Sequence, residues 1–454
     1  MATLIPNYTT AQIAVMGTAQ IAGLTTEDWA AFSTAQIAAL GASQIPAIGL
    51  SGLRILGTAQ IAAFDASDVS HFTAGQIGAF ATNQIQAMTA AQVGAFVPTQ
   101  VQALSTAQLH AIDASDYSHL STAAVASLGS AQISTLSTAQ VSALESNQIA
   151  ALTTATLRAL TTGQLAALGT ADMSALDSAQ IGALTTTQLR ALGTAQVHAI
   201  DSADMAALGT AGISSFTSVQ LAALSSAQVQ GLTTTQVAAL TTTQLSQLGT
   251  AQVAALDTAD VAALSGAQLQ SLSTAAIAAL SSQAIAALST AQLASFGTRQ
   301  IAAIESRDIA ALTTAQVASL STAQLAAIGS AQAASFETTD LAVLSTAQIR
   351  ALGTAAIDGL TSAQIESLAP TQVAAMSTAQ LAKLETITSA QLAALSSGQV
   401  ASLGQAYGAT LTTADIAGMS TTQLRTLSTG AISGLDSADI HALNSAQFDA
   451  LSSE

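Results

Sequence analysis

Two near-identical stretches carry the residues of this chain that could bind a metal ion. "DASDVSHF" spans residues 65–72, and "DASDYSHL" spans residues 113–120. Each offers two carboxylates and an imidazole at i, i+3 and i+6, and such side chains bind Zn²⁺. The same pattern suits a short helix without metal, because acidic residues favour its start and histidine its end. We favour the second interpretation, so the weak metal candidates are Asp65, Asp68, His71, Asp113, Asp116 and His119.

Asp-x-x-Asp recurs elsewhere in the chain, where stacked carboxylates could bind Ca²⁺. As helix-capping variants these pairs need no ligand, and this is again the simpler interpretation. The pairs are Asp201/Asp204, Asp257/Asp260 and Asp436/Asp439. No credible Ser/His/Asp arrangement and no glycine-rich phosphate-binding motif is present. The sequence therefore predicts no catalytic residue and no cofactor, and we expect no enzymatic activity.

The candidate residues lie in an eight-residue repeat, here called an octad, such as "GTAQIAGL" or "STAQIAAL". The frame holds over residues 9–384, which is 376 residues or 47 octads of eight, with the consensus [S/T/G/D]-T-A-Q-[I/V/L]-x-A-L. "ETI" at residues 385–387 breaks the frame. The predicted divisions are a lead-in (1–8), the repeats (9–384), an irregular insertion with degenerate repeats including Tyr407 (385–411), and C-terminal repeats without a distinct cap (412–454).

Each octad has the signature of a helix start. Position 1 favours residues that cap helix N-termini, and Gln at position 4 completes a capping box. Pro98 and Pro370 stand at position 2, the first helical residue, where proline is favoured. Gly at position 1, as at Gly17, could also end the preceding helix in a left-handed conformation. Pro46 falls later in its octad, within "GASQIPAIGLSGLRIL", and predicts a local kink.

One long helix does not fit this repeat. Eight residues advance a helix by two turns plus about 80°, so the apolar positions would spiral around its axis. A helix of about six residues is unstable alone and must stack on neighbours. The sequence therefore predicts an all-α solenoid of very short helices, one per octad, with positions 5 and 8 inside and position 6 in solvent. Trp29, Tyr117 and Phe448 occupy core position 5. Acidic residues open mainly alternate octads, which predicts two octads per coil.

Composition excludes several classes of protein. With 8 basic and 25 acidic residues, the net charge of −17 argues against nucleic acid and anionic membranes as partners. No apolar run is long enough for a transmembrane helix. The absence of cysteine excludes disulfides and thiolate metal sites. The start, "MATLIPNYTT", does not have the pattern of a Sec-type signal peptide.

Octads such as "STAQIAAL" and "TTTQVAAL" resemble the low-complexity repeats of large secreted or surface-attached bacterial proteins, including adhesin-like proteins exported by one-step secretion systems. The resemblance implies an extracellular or cell-surface location and a structural or adhesive role. The calcium-binding nonapeptides (Gly-Gly-x-Gly-x-Asp) of many such proteins are missing here. Calcium-driven folding is therefore not implied.

Two functions follow as expectations. Solenoids normally end in repeats with a polar outer face, and neither terminal stretch has that pattern. We therefore expect head-to-tail self-assembly into a filament, sheath or surface layer, with cell-surface components as further candidate partners. The alternative is an adhesin stalk or ligand-binding rod that uses its position-6 face. The rows of threonine make ice binding a minor variant of that alternative.

Overall fold

The computed structural model describes residues 3–403, 411–427 and 429–452. Across these residues every regular element is a short helix, and no strand is present. The chain divides into two units, Met1–Leu232 and Thr233–Glu454, each built from the same repeated helix. The predicted all-α solenoid of short helices is confirmed.

The first unit contains both α- and 3₁₀-helices. Its α-helices are Thr10–Ala14, Thr18–Ala22, Thr26–Ala30, Thr34–Ile37, Leu50–Ile55, Thr58–Ile61, Ala66–Val69, Ala74–Ala79, Thr82–Gln86, Ala90–Gly94, Pro98–Ala103, Thr106–Ala111, Thr122–Ala126, Ser130–Ile133, Thr138–Ser142, Ser146–Ala150, Thr154–Ala159, Thr162–Ala166, Thr170–Ser174, Ser178–Ala183, Thr186–Ala191, Thr194–His198, Gly209–Ser215, Ser218–Ala222 and Ser226–Gln230. Its 3₁₀-helices are Ile5–Asn7, Ile45–Ala47, Ala114–His119 and Ser202–Leu208.

In the second unit all described helices are α-helices. They are Thr234–Ala238, Thr242–Leu245, Thr250–Val253, Thr258–Ala263, Gly266–Ser271, Thr274–Ala278, Ser282–Ala286, Thr290–Ala294, Thr298–Ala303, Ser306–Ile309, Thr314–Ser319, Thr322–Leu325, Ser330–Ala333, Thr338–Ala342, Thr346–Ala351, Thr354–Asp358, Ser362–Glu366, Pro370–Ala374, Thr378–Leu381, Ser389–Ala393, Ser397–Val400, Thr413–Gly418, Thr421–Leu424, Thr429–Ser433, Ser437–Ala442 and Ser445–Ser452.

The octad at residues 161–168 illustrates the local structure. Thr161 is extended, and its hydroxyl oxygen accepts from the backbone N–H of Gln164 at 3.2 Å. In return, Oε1 of Gln164 accepts from the backbone N–H of Thr161 at 2.8 Å, which completes the predicted capping box. Leu165 and Leu168 at positions 5 and 8 are buried, whereas Ala166 at position 6 is exposed. Position 6 faces solvent, as predicted.

Among the described glycines at position 1, only Gly209 takes the left-handed conformation considered for this position. Gly17 has φ −69° and ψ 155°, which is ordinary extended backbone. Among the described residues only Gly209 has a positive φ, at 62°. It directly follows the 3₁₀-helix residues of Ser202–Leu208, so the left-handed turn marks one irregular octad and not the general rule.

Contacts between octads define the length of a coil, meaning one turn of the solenoid. Thr10–Ala14 packs against Thr34–Ile37, which starts three octads later. Thr234–Ala238 packs against Thr258–Ala263 with the same offset. The position-4 glutamines reach octads four earlier, so a coil contains between three and four octads. The prediction of two octads per coil is wrong. At position 1, Asp177 accepts from the start of its own helix, whereas Asp65 and Asp113 make no such bond, so an acidic residue there has no single structural role.

The amide of the position-4 glutamine joins successive coils. Nε2 of Gln100 donates to the carbonyl oxygens of Val69 and Phe72 at 2.8 and 2.7 Å, across 31 and 28 residues of sequence. Its Oε1 accepts from the backbone N–H of Val97 at 2.9 Å. One buried amide therefore satisfies a helix start and two carbonyls of the neighbouring coil. The same bridge recurs in both units, for example at Gln148, Gln188, Gln300 and Gln372.

Sequence reasoning predicted that the position-4 glutamine caps its own helix. It did not predict that the same glutamine bonds to the neighbouring coil. The missed signal is that no octad has Glu at position 4. Glu would complete a capping box as well as Gln does. Only Gln also supplies N–H donors for the carbonyls of another coil.

Side-chain size is balanced between octads three apart. Trp29 is 1% exposed, so its predicted core placement is confirmed. Gly52 occupies position 4 three octads later, and a Cβ there would lie 2.5 Å from Cδ1 of Trp29. The bulky indole therefore explains why this octad departs from the consensus. Pro46 lies in the three-residue 3₁₀-helix Ile45–Ala47. This element is too short to be kinked, so the predicted kink of a longer helix does not arise.

The other two aromatic residues at position 5 differ from each other. Tyr117 is fully buried, as predicted, and its hydroxyl donates to the carbonyl oxygen of Leu109 at 2.7 Å. Phe448 is 52% exposed, so its predicted core placement is wrong. Its octad lies in the last described coil, and no later octad among the described residues covers it.

The "ETI" stretch replaces one whole octad. Nε2 of Gln391 donates to the carbonyl oxygens of Ile365 and Leu368 across 26 and 23 residues, five fewer than the usual 31 and 28. Ile387 is buried and directly precedes the helix cap Thr388, which is the place of a position-8 residue. Three residues thus keep the core contact of an octad without its helix. Tyr407 lies outside the described residues.

We expect Gln100→Glu to destabilise the solenoid strongly. The substitution removes two donors from buried carbonyls and places a charge beside them, a loss of about 3 kcal/mol or more. Gln102→Glu in the same octad is the matched control, since Gln102 is exposed at position 6. Urea denaturation followed by circular dichroism measures both. Equal midpoints for the two variants would contradict the bridging role.

The Trp29–Gly52 packing predicts a compensating pair. Gly52→Gln restores the consensus residue yet should destabilise the fold by about 1–3 kcal/mol, because the new side chain overlaps the indole. Adding Trp29→Ile, which supplies the consensus core residue, should recover much of that loss. A double-mutant cycle on thermal unfolding measures the coupling. Additive effects would show that the two positions are independent.

Candidate functional site

The first candidate triad lies along one octad. Asp65 precedes the helix Ala66–Val69 and makes no side-chain bond to its start. Burial raises the pKa of Asp68, the charge of Asp65 raises it further, and His71 opposes both. Nδ1 of His71 lies 3.4 Å from the hydroxyl oxygen of Ser70.

The second triad repeats this arrangement on the 3₁₀-helix Ala114–His119. Burial raises the pKa of Asp116, with the charge of Asp113 adding to the effect and His119 opposing it. Nδ1 of His119 lies 3.3 Å from the hydroxyl oxygen of Ser118. The two stretches therefore share one environment as well as one sequence pattern.

Neither triad is arranged as a metal centre. Throughout the described part of the chain, no group of three or more His, Cys, Asp or Glu side chains is placed to hold one ion. Two Asp-x-x-Asp pairs act as helix caps. Oδ1 of Asp257 accepts from the N–H of Asp260 at 2.8 Å, and Oδ1 of Asp436 accepts from the N–H of Asp439 at 2.9 Å. Asp201 accepts from the N–H of Ala203 at 3.1 Å.

Aspartate at position 4 usually accepts a hydrogen bond from a hydroxyl of the neighbouring coil. The hydroxyl of Ser146 donates to Asp172 at 2.7 Å, and that of Ser389 donates to Asp415 at 2.6 Å. Both serines stand at position 2, 26 residues before the aspartate. The carboxylate thus accepts a bond from the earlier coil, where glutamine would donate one.

Asp68 and Asp116 do not have this partner. The residues 26 positions before them are Ala42 and Ala90, which offer no hydroxyl. Each carboxylate is half-buried without the bond that other position-4 aspartates accept. Burial is the first cause of the raised pKa of both carboxylates, as it is for Asp260 and Asp340, but Asp68 and Asp116 have no threonine or serine of the earlier coil to oppose it.

A third polar cluster was not predicted from the sequence. Nε of Arg307 lies 3.0 Å from Glu305 and 3.3 Å from Oδ1 of Asp308. The hydroxyl of Ser282 donates to the same Oδ1 at 2.5 Å. Oδ2 of Asp308 is buried and has no hydrogen-bond partner among the described residues. Because that atom has no accessible surface, a solute cannot contact it directly.

The octad frame coincides with a known repeat. The family model of the ALTTAQ repeat matches residues 109–146, 141–178, 173–203, 197–234, 234–266, 253–290, 261–298, 301–338, 333–370 and 409–443. Together these segments cover well over half of the chain. The chain belongs to the ALTTAQ repeat family. The sequence ALTTAQ itself occurs at residues 311–316. Its first two residues are positions 7 and 8 of one octad, and its last four residues are positions 1–4 of the next octad. An ALTTAQ unit therefore joins the buried end of one helix to the capping box of the following helix.

A comparison with curated proteins found no match for this ALTTAQ repeat protein. In the ranges that the structure covers, no helix has both the length and the apolar character required to span a bilayer.

The unpartnered carboxylates predict a specific pH dependence. The folded state binds the proton of Asp68 more tightly than the unfolded chain, because burial raises the pKa of the folded form. The free energy of unfolding therefore falls as pH rises from the ordinary pKa through the raised one. Asp68→Asn should raise the thermal midpoint at pH 7 and leave it unchanged at pH 3.

Asp28→Asn is the control, because its expected effect on the thermal midpoint at pH 7 has the opposite sign. Hydrogen bonds from Thr3 and Thr25 lower the pKa of Asp28, so its charge stabilises the fold at neutral pH. Asp28→Asn should therefore lower the midpoint at pH 7, and the difference should shrink as pH falls below the ordinary pKa of aspartate. Shifts of the same sign for both variants at pH 7 would contradict this assignment.

Proposed function

We propose that this repeat protein is a non-enzymatic structural protein, extracellular or at the cell surface, whose solenoids assemble head to tail into a filament, sheath or surface layer. The observation that supports it most is the directional bridge between coils. One face of each coil presents glutamine amides, and the opposite face presents the carbonyls that accept them. A face that presents glutamine amides is complementary in its hydrogen bonds to a face that presents such carbonyls.

In the first described coil, the side-chain N–H groups of two position-4 glutamines make no bond to a neighbouring coil. The Oε1 atoms of Gln12 and Gln20 accept from their own helix caps, as elsewhere. Their amide nitrogens find no carbonyl among the described residues. Both glutamines are exposed, in contrast to Gln100, which is fully buried. A coil of a second copy would supply the missing carbonyls.

Apolar side chains accompany these polar groups. Tyr8 is 38% exposed in the first coil, and Ile432, Ile440 and Phe448 are 41%, 39% and 52% exposed in the last. Covering such surface releases about 25 cal/mol per Å². A joint between two different faces does not close on itself, so its repetition gives an open filament.

The location and the absence of catalysis belong to this proposal. The resemblance to repeats of secreted bacterial proteins supports the location, and the uniform octads, which repeat one structural pattern, support a structural role. An adhesin stalk or ligand-binding rod is the alternative, and it would use the exposed position-6 residues. For ice binding, many position-1 hydroxyls already bond to their own helix starts, as at Thr161.

Electron microscopy of the purified chain at micromolar concentration tests the proposal. We expect uniform filaments, with light scattering that rises above a critical concentration. A monodisperse monomer over a range of salt and pH would overturn self-assembly and favour the stalk or rod.

A further inference from the structure

The octad at residues 273–280, here called the alanine octad, lacks the glutamine bridge to the coil before it. Its position 4 is Ala276, whereas Gln100 at the same position donates to carbonyls 31 and 28 residues earlier. Counted back from Ala276, those carbonyls belong to Leu245 and Leu248. Alanine has no side-chain donor, and among the described residues no hydrogen bond reaches the carbonyl oxygen of Leu248. Leu248 is only 6% exposed, so the missing donor is a loss inside the joint.

Alanine at position 4 does not by itself leave two coils unbonded. Ala124 also replaces glutamine, but the hydroxyl of Ser127, at position 7 of the same octad, donates to the carbonyl oxygen of Pro98 in the earlier coil at 3.2 Å. Position 7 of the alanine octad is Ala279, which has no hydroxyl. The octad after it has Ala284 at position 4 and supplies no glutamine either.

The coil after the alanine octad does not bridge to it. Asp308 stands four octads later, where a glutamine would donate to the carbonyls of Ile277 and Leu280. An ionised carboxylate has no donor. Oδ1 of Asp308 accepts instead from Ser282, in the octad that follows the alanine octad, and its buried Oδ2 has no partner among the described residues. Within the described chain, no side-chain hydrogen bond therefore joins the alanine octad to either neighbouring coil.

We propose that the alanine octad is a built-in point of local opening, where neighbouring coils separate reversibly while fully bridged coils stay closed. Each coil of a solenoid contacts only its neighbours, so the stack opens where those contacts are weakest. Ile277 and Leu280 are buried, and their apolar packing holds this octad without polar bridges. The solenoid can then bend or lengthen here while the coils on both sides keep their core. This property belongs to a single chain and does not depend on self-assembly.

Hydrogen–deuterium exchange of the full chain, followed by mass spectrometry, tests the proposal. The quantity compared is the protection factor of the backbone amides, which is the intrinsic exchange rate divided by the measured rate. The reference octad is residues 97–104, where Gln100 bridges to the earlier coil and Gln132 of the later coil donates to two of its carbonyls. Because local opening controls exchange, we expect protection factors at residues 273–280 to be roughly tenfold lower or less than at the reference.

Two sets of variants should move the point of opening. Ala276→Gln supplies the missing donors and should raise protection at residues 273–280. Ala275→Gln, at an exposed position of the same octad, is its matched control and should leave protection unchanged. Gln100→Ala combined with Gln132→Ala removes both bridges of the reference octad and should lower protection at residues 97–104 towards that of the alanine octad.

Two results would overturn the proposal. One is equal protection of the two octads in the unmodified chain. The other is unchanged protection at residues 97–104 in the double variant, because opening would then be independent of the bridges. The double variant copies a pair of gaps that the chain already contains, and circular dichroism checks that it folds.

Discussion

The bond on which the rest of the structure depends is the buried amide at position 4. Gln100 accepts from the start of its own helix and donates to two carbonyls of the neighbouring coil. A helix of five or six residues leaves most of its N–H and C=O groups unpaired, and buried unpaired groups are costly. The glutamine amide carries a donor and an acceptor in one rigid plane, so it satisfies both kinds of group. This is why such short helices can form a continuous core.

The same constraint explains which departures from the consensus the fold accepts. Aspartate can replace glutamine where a hydroxyl three octads earlier donates to it, as Ser146 does to Asp172. Glycine replaces it at Gly52, because the indole of Trp29 fills the space. Even a whole helix can be missing at residues 385–387, provided that Ile387 keeps the core contact. Alanine at position 4, as at Ala276, has no side-chain donor or acceptor, so the fold also accepts single octads without the glutamine bridge.

At the aspartate–histidine triads one bond between coils is absent, since Ala42 and Ala90 offer no hydroxyl to Asp68 and Asp116. In the first and last described coils, Tyr8 at position 8 and Phe448 at position 5 are exposed. Contacts between neighbouring coils elsewhere bury these positions, as expected of solenoids that behave as one-dimensional stacks.

The sequence by itself determined where each helix begins, which positions are buried and that the fold is a solenoid. The helix starts depend on contacts within eight residues, since Thr161 and Gln164 cap one helix wherever its neighbours lie. The buried positions and the solenoid follow from the regular recurrence of apolar residues in helices too short to be stable alone. The sequence also predicted the triads as helix-end features, although not the missing hydroxyls that distinguish them. Only the tertiary structure decided the length of the coil, the second role of Gln100, and the replacement of an octad by three residues. Those features depend on groups about 24–32 residues apart, whose meeting is set by how the helices pack in space. When successive octads have nearly the same eight residues, the sequence of one octad does not indicate which later octad it will contact.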